Sequence, residues 1–459
     1  MRVQFIAIGG SAMHNLAIAL SKKGYEITGS DDEIFEPALS RLKNLGLLPE
    51  SEGWHPERIS ENLDAVILGM HAKEDNPELA KARELGLKIY SYPEYLYDQA
   101  KDKIRIVVGG SHGKTTITAM ILHVMKDLGI DTDYMVGAQL EGFDVMVKLS
   151  EEARYMVFEG DEYLTSPIDR RPKFHLYKPH IGLISGIAWD HINVFPTFEN
   201  YIEQFRIFAE MIPPDGKLIY CEDDIHVKKL ALELEGNFTK VPYGLPDYQI
   251  KDGVSEITAD GIIYRMQVFG RHNMLNLEGA RKVLETIGVK ASEFYNSISK
   301  FKGASKRLEL IKTEGTVTVY KDFAHSPSKL KATIEAVKNQ YPERNLVACM
   351  ELHTFSSLNT KFLKEYNGCM DLADTAIVYY SKHALELKRL PFFDQGEVFE
   401  SFGRKDIHVF NDTSSMTKFL LDKAASNTNF LMMSSGDYDG LDLNNLADLI
   451  FKHSTSAIK

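Results

Sequence analysis

The sequence predicts an α/β protein built from three successive blocks, each a parallel sheet wrapped by helices. Three observations carry that expectation. The chain has 459 residues, which at ~150 residues per domain suggests about three domains. Short apolar runs alternate with amphipathic helical patterns along its length, the signature of strand–helix–strand units. The alternation is broken twice, by the charged stretch 98–103 and by the small-residue stretch 301–305, which suits a hinge.

In the first block, residues 3–8 read as a strand, 12–22 as a helix and 26–30 as a second strand. Residues 65–68, 77–85 and 87–90 then read as strand, helix and strand. A new strand, 104–108, opens the second block, and the third runs through 317–320, 329–339, 346–350, 376–380 and 430–433. The expected domains are 1–103, 104–303 and 304–459. No internal repeat or low-complexity tract interrupts them.

Composition is that of a globular chain, 44% hydrophobic and 26% charged, with a formal net charge of −12. That balance argues against nonspecific nucleic-acid binding, which needs a basic surface. Cys221, Cys349 and Cys369 have neither paired nor metal-ligand spacing, so a reducing compartment is expected. The apolar run at 3–8 carries no cleavage-site pattern, and no run reaches the ~18 apolar residues of a membrane span. A cytoplasmic protein without membrane partners is the expectation.

The strongest chemical signal is Gly109-Gly110-Ser111-His112-Gly113-Lys114-Thr115-Thr116, set between the strand 104–108 and a helical segment. Strand, glycine loop and helix form a phosphate cradle: backbone N–H groups turn toward phosphate oxygens and the helix N-terminus adds partial positive charge. Lys114 is placed to reach terminal phosphates and the Thr115 hydroxyl to ligate Mg²⁺. The spacing departs from G-x-x-x-x-G-K-[ST], since Val108 occupies the first glycine position.

Glu159-Gly160-Asp161-Glu162 follows the apolar strand 155–158, where a carboxylate can hold Mg²⁺ or merely form a solvated acidic turn. Trp189-Asp190-His191 follows another apolar run, and His191 reads equally as a metal contact or a structural histidine. Asn273 and Asn276 lie one turn apart at a helix start, where amides meet a base edge or cap the helix. Asp322 leaves the end of strand 317–320. Gly9-Gly10-Ser11-Ala12-Met13 is half of a dinucleotide fingerprint. It lacks the third glycine, with Asn15 where one is expected, and reads as a nucleotide site or a plain turn. Asp31, after the second strand, could take a ribose hydroxyl.

Together these segments resemble the Mur ligases, the ATP-dependent amide ligases of peptidoglycan metabolism, in family order over essentially the whole chain. Gly110-Ser111-His112-Gly113-Lys114-Thr115-Thr116 resembles the family's G-T-H-G-K-T-T, Glu159-Gly160-Asp161-Glu162 its E-A-D-E, and residues 270–276 its G-x-H-N-x-x-N. The resemblance implies a Rossmann-like N-terminal domain for a UDP-sugar, a central P-loop ATPase-like domain and a Rossmann-like C-terminal domain for the acceptor. Two branches match the N-terminal half: one joins L-alanine to UDP-N-acetylmuramate, the other joins L-alanyl-γ-D-glutamyl-meso-diaminopimelate to the same nucleotide sugar. Residues 192–216 contain no lysine, unlike the branches that carbamylate one there.

Asp161-Glu162-Tyr163 with Asp169-Arg170-Arg171-Pro172-Lys173-Phe174 resembles the tripeptide branch's D-E-Y…D-x-R-S-K-F. Asp322-Phe323-Ala324-His325-Ser326-Pro327 is similar to its D-D-F-A-H-H-P, with Lys321 and Ser326 as departures. Where the alanine branch carries P-H-R-Y-T-R, this chain reads Leu352-His353-Thr354-Phe355-Ser356-Ser357, without either arginine. The tripeptide branch's own E-P-R-S-N-T and M-S-N-G-x-F-G-G are also altered here, to Glu351-Leu352-His353-Thr354-Phe355-Ser356 and Met433-Ser434-Ser435-Gly436-Asp437-Tyr438-Asp439-Gly440.

The resemblance implies ATP and Mg²⁺ as cofactors. It places Gly110, Ser111, His112, Gly113, Lys114, Thr115 and Thr116 on the phosphates, and Thr115 with Glu159 on one Mg²⁺. His191 helps hold a second ion. Asn273 and Asn276 face adenine, Arg307 reaches the phosphates when the third domain closes, and Asp322 contacts the ribose or hinge. Gly9, Gly10, Ser11, Ala12, Met13, Ser30 and Asp31 contact the nucleotide sugar, and His325 and His353 the acceptor. The expected partners are UDP-N-acetylmuramate and a peptide or amino-acid acceptor, on a monomer or weak homodimer.

Overall fold

A computed structural model describes residues 1–140, 142–143, 145–190, 194–304, 307–388, 390–391 and 394–456. The chain divides into two compact units. One comprises Met1–Trp189, Val194–Gly244 and Leu277–Ser297, the other Asp190–Asn193, Leu245–Asn276 and Ile298–Lys459.

The first unit holds two sheets. Four parallel strands, in the order Glu26–Ser30, Arg2–Ile6, Ala65–Leu68, Ile89–Ser91, form the N-terminal sheet. Because strand side chains alternate between faces, Val3 and Phe5 pack with Met13, Leu16 and Leu20 of the helix Ser11–Lys22 on one face. Ile6, Val66 and Leu68 pack with Leu79 and Ala82 of the helix Pro77–Glu84 on the other. Both faces are covered, which is why these strands read as continuous apolar runs.

The second sheet has seven strands, in the order Thr239–Tyr243, Lys217–Cys221, Ile181–Ile184, Ile104–Gly109, Tyr155–Glu159, Thr132–Met135, Val147–Lys148. Only the last pairs antiparallel. Ile104–Gly109 and Tyr155–Glu159 are neighbours, so the phosphate loop and Glu159 emerge side by side from the C-terminal sheet edge, where α/β proteins bind ligands.

The stretch expected as a charged separator, 98–103, is partly helical. A helix Tyr92–Ala100 runs into it from a capping box in which Ser91 and Glu94 exchange bonds. Ser91-Tyr92-Pro93-Glu94 is a legible helix start. Beyond it Lys103 turns inward. Its ammonium meets Asp133 at 2.7 Å and the carbonyls of Ser150 and Ala153 at 2.8 and 3.0 Å.

The second unit contains a three-stranded antiparallel sheet, Tyr248–Lys251, Val254–Ala259 and Ile262–Met266. Its larger sheet has six strands, in the order Glu309–Glu314, Val317–Asp322, Thr428–Met433, Asn345–Leu352, Thr375–Tyr380, His408–Phe410, all parallel except the first. Along Asn345–Leu352, Leu346, Ala348, Met350 and Leu352 face Leu330, Ile334 and Val337 of the helix Pro327–Gln340. Val347 and Cys349 face Met416, Leu420 and Leu446. All three cysteines are free and buried. The α/β class and its parallel sheets are as expected. Among the described residues no helix is long and apolar enough to cross a membrane.

The Lys103–Asp133 pair gives a direct test of the first unit. Asp133→Ala strands a buried ammonium, so a loss of about 3–5 kcal/mol is expected in urea unfolding.

Candidate active site

The phosphate loop departs from the usual glycine spacing because its strand is longer. Val108 lies inside Ile104–Gly109, fully buried and paired with Glu159 and Leu183. The backbone turns only at Gly110, with φ 135°, where an added Cβ would lie 2.1 Å from Ser185 Oγ. Gly113, with φ 80°, opens the helix Lys114–Asp127 in the left-handed region. Ser185 fixes the loop from outside, its N–H reaching the Gly109 carbonyl at 3.1 Å and its hydroxyl bonding the His112 carbonyl. The His112 ring lies so close to Gly186 that a Cβ there would clash with it.

Lys114 is the electrostatic centre of this loop. Its ammonium donates to the Gly110 carbonyl at 2.7 Å and to Glu162 Oε2 at 2.6 Å. Burial pushes its pKa down, but the carboxylates of Glu162, Asp161 and Glu159 outweigh that and hold it above the ordinary lysine value. Glu162, itself buried, accepts the Tyr201 hydroxyl at 3.1 Å on its other oxygen. The Tyr201 proton is thereby committed, so the Ser111 hydroxyl, 2.9 Å away, is the donor to Tyr201. The Ala188 N–H donates to Ser111 Oγ at 2.9 Å. A continuous chain thus joins Ser111, Tyr201, Glu162 and Lys114.

Beside it, Glu159 is gripped from two sides. The Thr115 hydroxyl donates to Oε1 and the Gly137 N–H to Oε2, each at 2.7 Å. A Cβ on Gly137 would stand about 3 Å from that carboxylate. Both Thr115 and Glu159 are buried, while Gly137 is exposed. A hydroxyl and a carboxylate oxygen at one point suit a hard cation that keeps most of its water. Thr116 is buried in the helix's first turn. Asp161 pairs with Lys173 at 2.6 Å, and Asp169 with Arg171. Between them the Thr165 and Arg171 backbones bond at 3.0 Å, so the segment 161–174 is one closed turn.

At the N-terminal loop, Asp31 Oδ2 accepts the Gly9 N–H at 2.7 Å. Burial raises the Asp31 carboxyl to about 6, with Asp32 adding to the effect. Ser30 bonds the buried Glu78 at 2.5 Å. Gly10 precedes the helix Ser11–Lys22 and its carbonyl accepts from His14 Nδ1 at 3.0 Å. Ser11 and Ala12 are exposed and Met13 is buried. Asn15, where a packing glycine was expected, is wholly buried and bonds Ser11, Arg41 and the Met146 N–H.

In the second unit, Gly270, with φ 91°, precedes the helix Arg271–Thr286, and a Cβ on it would lie 2.5 Å from Ala336. Asn273 does not cap by accepting; its Nδ2 donates to the Phe269 carbonyl at 2.8 Å. Asn276 is buried. The Arg307 guanidinium lies 4.7 Å from the centre of the Phe323 ring. Asp322 accepts the N–H groups of Leu308 and Ala324 at 2.5 and 2.7 Å; burial raises its pKa against the opposing pull of Arg307. His325 donates to the Phe323 carbonyl at 2.8 Å, and burial with the Lys329 ammonium pushes it down to about 3, a neutral imidazole. His353 Nδ1 stands 3.7 Å from Glu351, against Gly436. His191 lies outside the described residues; its neighbour Asp190 is 3.7 Å from Lys329.

Three family models match this chain in sequence order. Residues 2–104 match the Mur ligase family catalytic domain, 108–284 the Mur ligase middle domain, and 306–436 the Mur ligase glutamate ligase domain. The chain belongs to the Mur ligase family. It is therefore an ATP-dependent, ADP-forming amide ligase. A UDP-N-acetylmuramate–L-alanine ligase from Caldanaerobacter subterraneus is 30% identical over 95% of both chains. A crystal structure of a murein peptide ligase from Psychrobacter arcticus superposes with TM-score 0.67 at 22% identity, covering 98% of each chain. A UDP-N-acetylmuramate–alanine ligase from Thermotoga maritima gives TM-score 0.71 at 20% identity, over 99% of this chain and 100% of that one. These two structures share the three-domain Mur ligase fold.

Sequence reading missed Tyr201, Gly137 and Ser185. Tyr201 sits inside an ordinary amphipathic helix, Phe198–Glu210, and no local pattern marks it. Tyr201→Phe keeps the ring against Phe195 and Phe205 and removes only the bridging hydroxyl. The KM for ATP is expected to rise about three- to tenfold, on the scale of one hydrogen bond to a charged group, in steady-state kinetics.

Proposed function

We propose that this Mur ligase activates the lactyl carboxylate of UDP-N-acetylmuramate with ATP and joins it to L-alanyl-γ-D-glutamyl-meso-diaminopimelate, a reaction of peptidoglycan recycling. A carboxylate does not accept an amine at neutral pH without activation. A carboxylate oxygen attacks the γ-phosphorus of ATP and ADP leaves, giving an acyl phosphate. The acceptor's α-amine then adds to the acyl carbon, loses a proton, and phosphate departs from the tetrahedral adduct. Catalysis here is positioning and charge neutralisation.

Lys114 takes the transferring phosphate, exchanging its bond to Glu162 for one to phosphate oxygen. Residues 110–116 cradle the phosphates. Thr115 and Glu159 hold Mg²⁺, which would neutralise phosphate charge, and His191 is assigned to a second ion by resemblance alone. Asn273 and Asn276 are assigned to adenine, Arg307 to the phosphates and Asp322 to the ribose or hinge on the same basis. The nucleotide sugar takes Gly9 to Met13 with Ser30 and Asp31; the acceptor takes His325 and His353. A cytoplasmic enzyme fits a substrate set that includes ATP and a UDP-sugar.

The single observation that favours the tripeptide is the closed turn 161–174. Its Asp161–Lys173 and Asp169–Arg171 pairs are made by the residues that resemble the tripeptide branch, and it adjoins the Lys114–Glu162 pair. The absence of arginine from 352–357 departs from the motifs of both branches and does not choose between them. The alternative acceptor, L-alanine, is favoured by the names of the relatives at 30% identity. Purified protein supplied with UDP-N-acetylmuramate, ATP, Mg²⁺ and either acceptor decides between them. ADP release is expected with the tripeptide at a kcat/KM roughly 100-fold or more above that with L-alanine. The reverse order assigns the chain to alanine addition.

A further inference from the structure

Hydrogen bonds and one short stretch of backbone, 136–139, join the loop at residues 9–13 to the Glu159 carboxylate within the first unit. The connection begins at Ser11, the exposed residue that opens the helix Ser11–Lys22. The Ser11 carbonyl accepts Asn15 Nδ2 at 2.8 Å. Asn15 Oδ1 then accepts two donors, Arg41 Nη1 at 3.1 Å and the Met146 N–H at 3.4 Å.

Both donors lead to the same place. Arg41, on the helix Ala38–Asn44, donates through Nη2 to Gln139 Oε1 at 2.7 Å, two residues from Gly137. The Met146 carbonyl accepts the Val136 N–H at 3.0 Å, one residue from Gly137. Gly137 in turn donates its N–H to Glu159 Oε2, on the side of the carboxylate opposite Thr115.

We propose that Arg41 is a positioning residue: through Asn15 and Gln139 it sets the segment 136–139 so that Gly137 orients Glu159 for Mg²⁺ once the nucleotide sugar occupies the loop at Ser11. A planar guanidinium suits this task, because its two Nη groups bind two carbonyl oxygens at a fixed separation. A ligand that orders Ser11 and its helix turn fixes Asn15, and through it both routes to Gly137. The coupling is reciprocal: nucleotide sugar at Ser11 tightens the metal site, and Mg²⁺ with ATP at Glu159 tightens the nucleotide-sugar loop by the same factor. This rests on the assignment of Glu159 to Mg²⁺ and of residues 9–13 to the nucleotide sugar.

The test measures the Mg²⁺ concentration that half-saturates ATP binding, by calorimetry, with and without UDP-N-acetylmuramate. Wild type is expected to need about fivefold less Mg²⁺ when the nucleotide sugar is present, the lower end of ordinary coupling between sites. In Arg41→Ala most of that lowering should be lost, leaving only what the Met146 route carries, and in Arg41→Lys part of it should return. Gln139→Ala cuts the same bridge from the other side, and the double variant should be no worse than either single one. A lowering in both alanine variants equal to that in wild type overturns the proposal, as does additivity of the two substitutions or a wild type whose Mg²⁺ requirement ignores the nucleotide sugar. A wild type that shows the coupling yet forms no amide with either acceptor contradicts the proposed function alone.

Discussion

The carboxylates at the sheet edge of the first unit are arranged around one largely enclosed ammonium. Lys114 sits at the start of a helix, where partial positive charge already gathers, and next to a sheet edge crowded with carboxylates. Glu159, Asp161 and Glu162 lie close together there, the two glutamates buried and Asp161 half-buried, and a buried carboxylate needs a cation or N–H and O–H groups as partners. The structure divides the task. Glu162 takes Lys114 and Tyr201, Glu159 takes Thr115 and Gly137, and Asp161 takes Lys173. In the proposed function a phosphate that displaces Glu162 from Lys114 would keep the ammonium paired, and Tyr201 would still hold the released carboxylate.

Close backbone approach makes this arrangement possible. Gly110 admits Ser185 to the loop, Gly137 admits the Glu159 carboxylate, and Gly186 admits the His112 ring. Any side chain at these points would enter space already filled by a group that orients the loop. The second unit uses the same device at Gly270 against Ala336 and at Gly436 against His353 and Glu351. There Glu351, near the end of Asn345–Leu352, accepts the Tyr438 N–H at 3.0 Å and the Ser434 hydroxyl, joining the segments 351–356 and 433–440 to each other.

Much of this was legible in the sequence, for physical reasons that also mark where legibility ends. Central parallel strands are buried on both faces and announce themselves as apolar runs, and a phosphate loop needs glycine, lysine and threonine at fixed spacing. The edge strands Glu309–Glu314 and His408–Phe410 have exposed or half-buried side chains and no comparable signal. The antiparallel sheet at 248–266 did carry one: Asp252-Gly253 and Asp260-Gly261 each hold both residues at positive φ, the hairpin turn that Asp-Gly favours. Tyr201 and Arg41 were beyond reach, because Tyr201 lies 90 residues from Ser111 and Arg41 lies 98 from Gln139. Only the folded sheet brings such positions together.

In the proposed function Lys114 is the cation that trades Glu162 for phosphate. Lys114→Met keeps much of the stem's packing and removes the charge, and ATP affinity measured by calorimetry at saturating Mg²⁺ reads the consequence. Binding weaker by about 100-fold, near the 2.7 kcal/mol equivalent, in a variant that circular dichroism shows to be folded, is the predicted result. Affinity equal to that of wild type would contradict it.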